Sequence, residues 1–168
     1  MAAKQAKTLD DLFEDTLKDI FYAENKILKA LPKLEKAAQS EELKAAFEKH
    51  LKQTERQVSR LEKVFAMIDV APRGKKCEAI EGIIEEGAEI IKEFKGAPAL
   101  DAGLVSAAQA VEHYEIARYG TLKRWAEMMG LDDAVSLLDE TLSEEKETDA
   151  ALTKLADTQA NEMAQAAE

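Results

Sequence analysis

The chain has 168 residues, 34 acidic and 23 basic, giving a net charge of −11. That balance repels phosphate and excludes nucleic acid as an expected partner, and the lone cysteine, Cys77, excludes an internal disulfide framework and a multi-cysteine zinc site. Aromatic residues are only 5% of the chain, and Ala, Glu, Lys and Leu dominate, a composition that disfavours sheet and favours long helices.

The first helix is expected to start at Thr8, with Asp11 three residues on as the second half of a capping box. Phe13, Leu17, Ile20, Ile27, Leu31, Leu34 and Ala38 then follow the three-four alternation of a bundle seam. Pro32 frees the carbonyl of Leu28 and is expected to kink this helix rather than end it. Ser40, followed by Glu41 and Glu42, caps a second helix whose stripe runs Leu43, Phe47, His50, Thr54, Gln57, Leu61, Val64 and Ile68. Residues 70–76 (VAPRGKK) read as a loop. A third segment carries Ile80, Ile83, Ile84, Ile90, Ile91 and Phe94 and stops at Gly96-Ala97-Pro98. Asp101 is expected to cap a fourth helix with Leu104, Ala108, Val111, Glu115, Leu122, Trp125 and Met129 inward, closed by Gly130. Asp132 and Asp133 open a fifth, with Leu138, Thr141, Glu145, Thr148, Leu152 and Leu155 inward; after these the pattern fades and fraying is expected.

The links set the topology. Almost nothing separates the first helix from the second, or the fourth from the fifth, so each pair forms an antiparallel hairpin. About thirty residues with a short helix of their own join the hairpins. The reading is all-α: a ferritin-like four-helix bundle in one domain over 1–168, with one long crossover that contains an accessory fifth helix. The expected bounds are 9–38, 41–69, 101–129 and 132–157 for the bundle and 77–95 for the accessory helix. A shift of 91 residues lays the second hairpin on the first: Glu24 on Glu115, Ser40 on Leu131, Gln53 on Glu144, Thr54 on Glu145. The longest apolar run, Val64 to Ile68, is far too short to cross a membrane, and the chain reads as a soluble cytoplasmic protein with no membrane partner.

Four bundle helices break their apolar seam with polar residues at one depth. Glu24 lies 16 positions before Ser40, and Gln53 and Thr54 lie 13 and 14 after it; Glu115, Glu144 and Glu145 repeat these offsets about Leu131. His50 and Glu112 flank the same level. A single seam Glu or His is ordinarily a paired core residue, and Arg118 or Lys146 could pair with Glu115 or Glu145. Several acids and a His at one level point instead to a metal site, because buried carboxylates are costly unless paired or bound to a cation. Hard oxygen donors with one imidazole suit iron or manganese. The candidate ligands are Glu24, His50, Glu115 and either Glu144 or Glu145. Gln53 could serve as a weak carbonyl-oxygen ligand, and Glu112 as a supporting acid or a ligand on rearrangement. No catalytic residue can be assigned. His113 reads as a surface residue, Cys77 as an inert thiol at a helix start, and Tyr22, Tyr119 and Trp125 as core packing near the polar layer.

The stretches LFEDTLKDIFYAENKILKALPKL (12–34), SEELKAAFEKHLKQT (40–54), KCEAIEGIIEEGAEII (76–91), AAQAVEHYEIARYGTL (107–122) and LLDETLSEEKETDAALTKLA (137–156) resemble the YciE/YciF family of bacterial stress proteins. The resemblance covers nearly the whole chain. It implies a ferritin-like fold distantly similar to rubrerythrin, a role in general stress, and a di-iron site whose bundle acids fall on Glu24 and Glu115. The ferritin-like Glu-x-x-His frames are not kept: residues 54–57 read Thr-Glu-Arg-Gln and residues 145–148 read Glu-Lys-Glu-Thr, while His50-Leu51-Lys52-Gln53 reverses the order. Gln53 stands where similar proteins often have Glu. The expectation is a di-iron (or manganese) stress-response protein, with weak ferroxidase or peroxide-consuming chemistry. It is expected to form a homodimer through the paired isoleucines of the accessory helix. The competing expectation is a metal-free helical dimer with a structural or interaction role.

Overall fold

The computed structural model describes residues 6–166. Among these residues all regular structure is helical: α1 (Leu9–Ala37), α2 (Glu41–Met67), α3 (Glu78–Glu93), α4 (Leu100–Met128), α5 (Asp132–Leu155), a π-helical turn (Ala156–Ala160) and α6 (Asn161–Gln165). The four long helices form a bundle in which α1 packs on α2, α4 on α5, α2 on α5 and α1 on α4; α3 lies outside, against α1 and α4. Two hairpins and one long crossover are the ferritin-like connection.

Local chemistry starts the helices much as the sequence dictates. Thr8 accepts from the Asp11 amide while Asp11 accepts from the Thr8 amide, a closed capping box. Ser40 Oγ accepts from Leu43 N at 3.2 Å. Helix α1 runs through Pro32 without ending. Gly130 has φ +70°, the left-handed conformation that closes a helix and lets the chain reverse in three residues. In the crossover, Gly74 lies against Tyr22, where an added Cβ would sit 2.9 Å from the Tyr22 Cβ, and Lys75 N donates to Lys18 O.

Four expectations change. Asp101 does not cap α4, whose N-cap is Ala99; its carboxylate accepts the amides of Gln39 and Ser40, both at 2.8 Å, and so fastens the α1–α2 turn to α4. On α4 the buried stripe includes Glu112, Tyr119 and Ala126, leaving Val111, Trp125 and Met129 half-buried. The buried line faces α1 and α2, where Glu112 meets His50 and Tyr119 meets Glu24, while Val111 lies on the neighbouring face under α3. Phe94 is 43% exposed because it falls at the C-cap of α3, where the helix leaves the bundle. Past Leu155 the chain stays helical: the π-helical turn adds a residue, shifts the phase and buries Ala160.

The core runs from Phe13, Leu17 and Ile20 at one end to Leu31 and Leu43 at the other, joined by Phe47, Leu61, Leu104, Leu122 and Leu138. It is interrupted at mid-height by a polar layer.

Candidate metal centre

Each side chain of the layer sits where helix periodicity aims it inward. Glu24 is four residues from Ile20 and three from Ile27 on α1; Glu115 is four from Tyr119 on α4; Glu145 is four from Thr141 on α5. Glu24, Glu115, Glu145, Thr54 and Gln57 have no solvent exposure, and Glu112 and His50 almost none. One ligand atom each from His50, Glu112, Glu115 and Glu145 lie within 4.8 Å of one another. Three helices, α2, α4 and α5, therefore converge on one point.

The layer is poor in hydrogen-bond partners. Both oxygens of Glu115, Oε2 of Glu24, Glu112 and Glu145, Oε1 of Gln53 and of Gln57, and Nδ1 of His50 are buried and unpartnered. His50 Nε2 stands 3.3 Å from Glu112 Oε1, without the alignment of a hydrogen bond. Tyr119 donates its hydroxyl to Glu24 Oε1, and Gln57 donates to Glu145 Oε1. Thr54 turns its hydroxyl to the His50 carbonyl at 2.9 Å and offers nothing to the layer. No Lys or Arg among the described residues forms an ion pair with Glu24, Glu115 or Glu145.

Burial and mutual repulsion shift the acids together. Burial, then the Glu145 charge, raises Glu24 to about 8. Burial, then the charges of Glu145 and Glu24, raises Glu115 well above the usual carboxyl range, and burial followed by the Glu145 carboxyl does the same to Glu112. Burial raises Glu145 to about 7. Burial lowers His50 to about 4, leaving a neutral imidazole with a free lone pair at neutral pH. These are the properties of a cation site waiting for charge compensation, or of a proton-filled layer.

The structure separates the two residues that the sequence left as alternatives. Glu145 enters the layer. Glu144 points beside it and is held by Arg60, with Nη1 at 2.7 Å from Oε2 and Nη2 at 3.1 Å from Oε1. Burial alone would raise Glu144, but the Arg60 guanidinium outweighs it and holds the carboxyl below its ordinary value. Gln53, 5% exposed, borders His50 and Glu112. The ion pair between Glu115 and Arg118 does not form, because Arg118 turns to Asp19 at 3.4 Å. His113 lies exposed, 3.3 Å from Asp149. Cys77 is buried with its sulfur 3.2 Å from the Tyr114 hydroxyl. Tyr22 donates to Glu81, and Trp125 packs half-buried on the core.

Sequence reasoning missed Arg60 and the polar role of Tyr119. Arg60 follows Gln57 at a spacing of three, so a charged residue on the α2 seam was the available signal for it. Tyr119 follows Glu115 at a spacing of four, but its hydroxyl partner lies on another helix, which spacing does not reveal.

The family described as a domain of unknown function (DUF892) matches residues 8–165. Protein YciF of Escherichia coli K12 is 44% identical over 160 residues, which are 95% of this chain and 96% of that protein. The crystal structure of the E. coli stress protein YciF superposes with a TM-score of 0.88 at 44% identity, covering 93% of this chain and 99% of that one. YcfI of Rhodopseudomonas palustris, described as a candidate structural protein, gives a TM-score of 0.86 at 44% identity, over 91% and 98% of the two chains.

Proposed function

This chain belongs to the DUF892 family with the stress protein YciF, and we propose that its bundle binds a pair of iron or manganese ions as part of a cytoplasmic stress response. Glu24, His50, Glu112, Glu115 and Glu145 would hold the metal, with the Gln53 carbonyl oxygen as a neutral contributor. The observation that carries this reading is the convergence of four buried ligand atoms, from His50, Glu112, Glu115 and Glu145, within 4.8 Å, each on a side chain with an unpartnered atom; Glu24 is outside that four and offers its own unpartnered Oε2. A buried acid without a cation loses its hydration and repels its neighbours; bound divalent ions remove both penalties. Glu144, already compensated by Arg60, is not needed as a ligand.

Bound iron supplies one-electron redox chemistry towards peroxide or dioxygen. The chain's part is to bind, to orient and to keep bulk water out. Tyr119 fixes one oxygen of Glu24, and Gln57 fixes one oxygen of Glu145, so each acid keeps its second oxygen for metal. Gln53, Gln57 and Thr148 stand at positions where a stronger site would carry Glu or His, so oxidation of Fe(II) is expected to be slow. The reading as a homodimer rests on the apolar α3, although Ile84, Ile90 and Ile91 spend part of their surface on their own core. A metal-free structural role is the second reading, favoured by the description of YcfI.

The test is thermal. Mn(II), or anaerobic Fe(II), should raise the melting temperature, by about 2.7 kcal/mol of stability at a hundredfold excess over the dissociation constant. Glu24→Ala and Glu115→Ala should each abolish the rise. Melting that ignores both metals in the wild-type chain rejects the proposal.

A further inference from the structure

The bundle contains a second feature, which meets the metal layer at His50 and Glu112. Between α1 and α4, under α3, lies a pocket with a cavity volume of about 60 Å³ and a mouth open to solvent. Its walls are Ile27 and Leu31 of α1, Ile84 and Ile91 of α3, and Val111 of α4. Its room comes from small side chains: Gly87 and Ala88 on α3, Ala107 and Ala108 on α4. Larger residues at these places would let α3 and α4 fill the gap. At the inner end stand two polar groups, His50 and Glu112, both nearly fully buried and both carrying atoms without hydrogen-bond partners.

We propose that this pocket binds a slender, uncharged aliphatic molecule, its polar end turned inward to His50 and Glu112 and its chain lying along α3. Three observations select that class. The walls are apolar, so burying a hydrocarbon chain there is favourable at about 0.8 kcal/mol per CH₂. The floor holds buried carboxyls and no cation, so an anionic headgroup placed beside Glu112, Glu115 and Glu145 would lose its hydration with nothing to compensate it. The unpartnered His50 nitrogens ask for a group that both donates and accepts, such as a hydroxyl. The charged wall residue besides Glu112 is Lys33, which is exposed. The stretch of α3 from Ile83 to Ile91, along which the chain would lie, spans about 12 Å. A second protein helix does not fit this place, because α3 already roofs the gap between α1 and α4 and a helix is about 10 Å across.

The inference extends the metal reading, since the bound molecule would end beside that cluster, but its test needs no metal. Octanol is titrated into the metal-free protein and backbone amide shifts are followed by NMR. Saturable shifts at Gly87, Ala107, Ala108 and Val111 are expected, with octanoate at least tenfold weaker. Gly87→Leu should fill the pocket; a Cβ at Gly87 lies 3.5 Å from that of Ala107, ordinary contact distance. Ala88→Phe should block the mouth from an exposed position, without entering the core. Each should weaken octanol at least tenfold while leaving the metal-induced rise in melting temperature unchanged. No saturable shift, equal binding of octanoate, or octanol binding untouched by both variants overturns the inference. Octanol binding without any metal response would remove the metal proposal alone, and a metal response without octanol binding would remove this inference alone.

Discussion

Glu144 and Glu145 are neighbours on α5 and are treated in opposite ways. Glu144 is half-buried and surrounded by donors: Arg60 in two contacts, Arg56 at 3.5 Å and Gln57 at 3.1 Å. Glu145 is fully buried, receives one hydrogen bond from Gln57, and leaves Oε2 without a partner. The same contrast holds around them. The Arg60 cluster, with Glu140 and Thr141, carries its own countercharge within the chain. The layer of Glu24, Glu112, Glu115 and Glu145 leaves its countercharge to protons or to ions from outside. One acid cluster therefore contributes to the fold, while the other costs the metal-free fold the burial of uncompensated carboxyls.

The largest expected effect lies on the compensated side. Arg60→Met should destabilise the chain by about 3 kcal/mol, because it removes both close charge-assisted contacts to Glu144 together with the Glu140 pair and leaves only Arg56 and Gln57 beside Glu144. Urea unfolding measures this directly; an unchanged midpoint would mean that solvent compensates Glu144 as well as Arg60 does.

The next effect is the pH dependence of the metal-free protein. Glu24 and Glu145, raised to about 8 and about 7, contribute stability that is complete below the ordinary carboxyl value of 4.5 and is lost as pH rises through their folded values. His50, lowered to about 4, has the opposite sign and loses stability as pH falls below its ordinary 6.5. The window above pH 6.5 therefore isolates the acids. Unfolding free energy should fall there by at least about 2 kcal/mol up to pH 8, with Glu112 and Glu115 adding to the fall in the same direction. Metal should reduce or reverse that fall. A flat profile without metal would show that the layer holds no excess protons.

A smaller effect of inverted sign should follow Glu115→Gln. It removes a carboxyl whose two oxygens have no partners and whose ionisation burial opposes, so the metal-free protein should gain about 1 kcal/mol relative to the wild type at the alkaline end of the profile, where the wild-type carboxyl is forced to ionise. The gain should be absent at pH 5, where the carboxyl is already protonated. Destabilisation at both pH values would identify Glu115 as an ordinary packed residue.

The sequence made the bundle legible because its information is periodic and local. The Thr8–Asp11 box, the Ser40 cap and the left-handed Gly130 each act within a turn of helix, and each stands where spacing puts it. The depth of the polar layer was legible too, since rise per residue from two short turns is simple arithmetic. Rotation about a helix axis was less so. Seam spacing set Val111, Trp125 and Met129 inward, whereas the buried line runs through Glu112, Tyr119 and Ala126 towards α2 and α1, and Val111 lines the gap under α3. The choice between Glu144 and Glu145 hung on Arg60, a partner on another helix, and local spacing contains no such contact. Asp101 shows the same limit: it occupies a plausible capping position and instead binds a turn 61 residues away in the chain.

The claim that joins these observations is that the uncompensated layer is completed by divalent cations. The direct measurement is anaerobic equilibrium dialysis of metal-stripped, untagged protein against Fe(II) or Mn(II), with elemental analysis of the retained metal. The account predicts that a pair of ions is retained per chain by the wild type, none by Glu115→Ala, and the full pair by Arg60→Met. Retention of no metal by the wild type at tens of micromolar, or equal retention by Glu115→Ala, would contradict it.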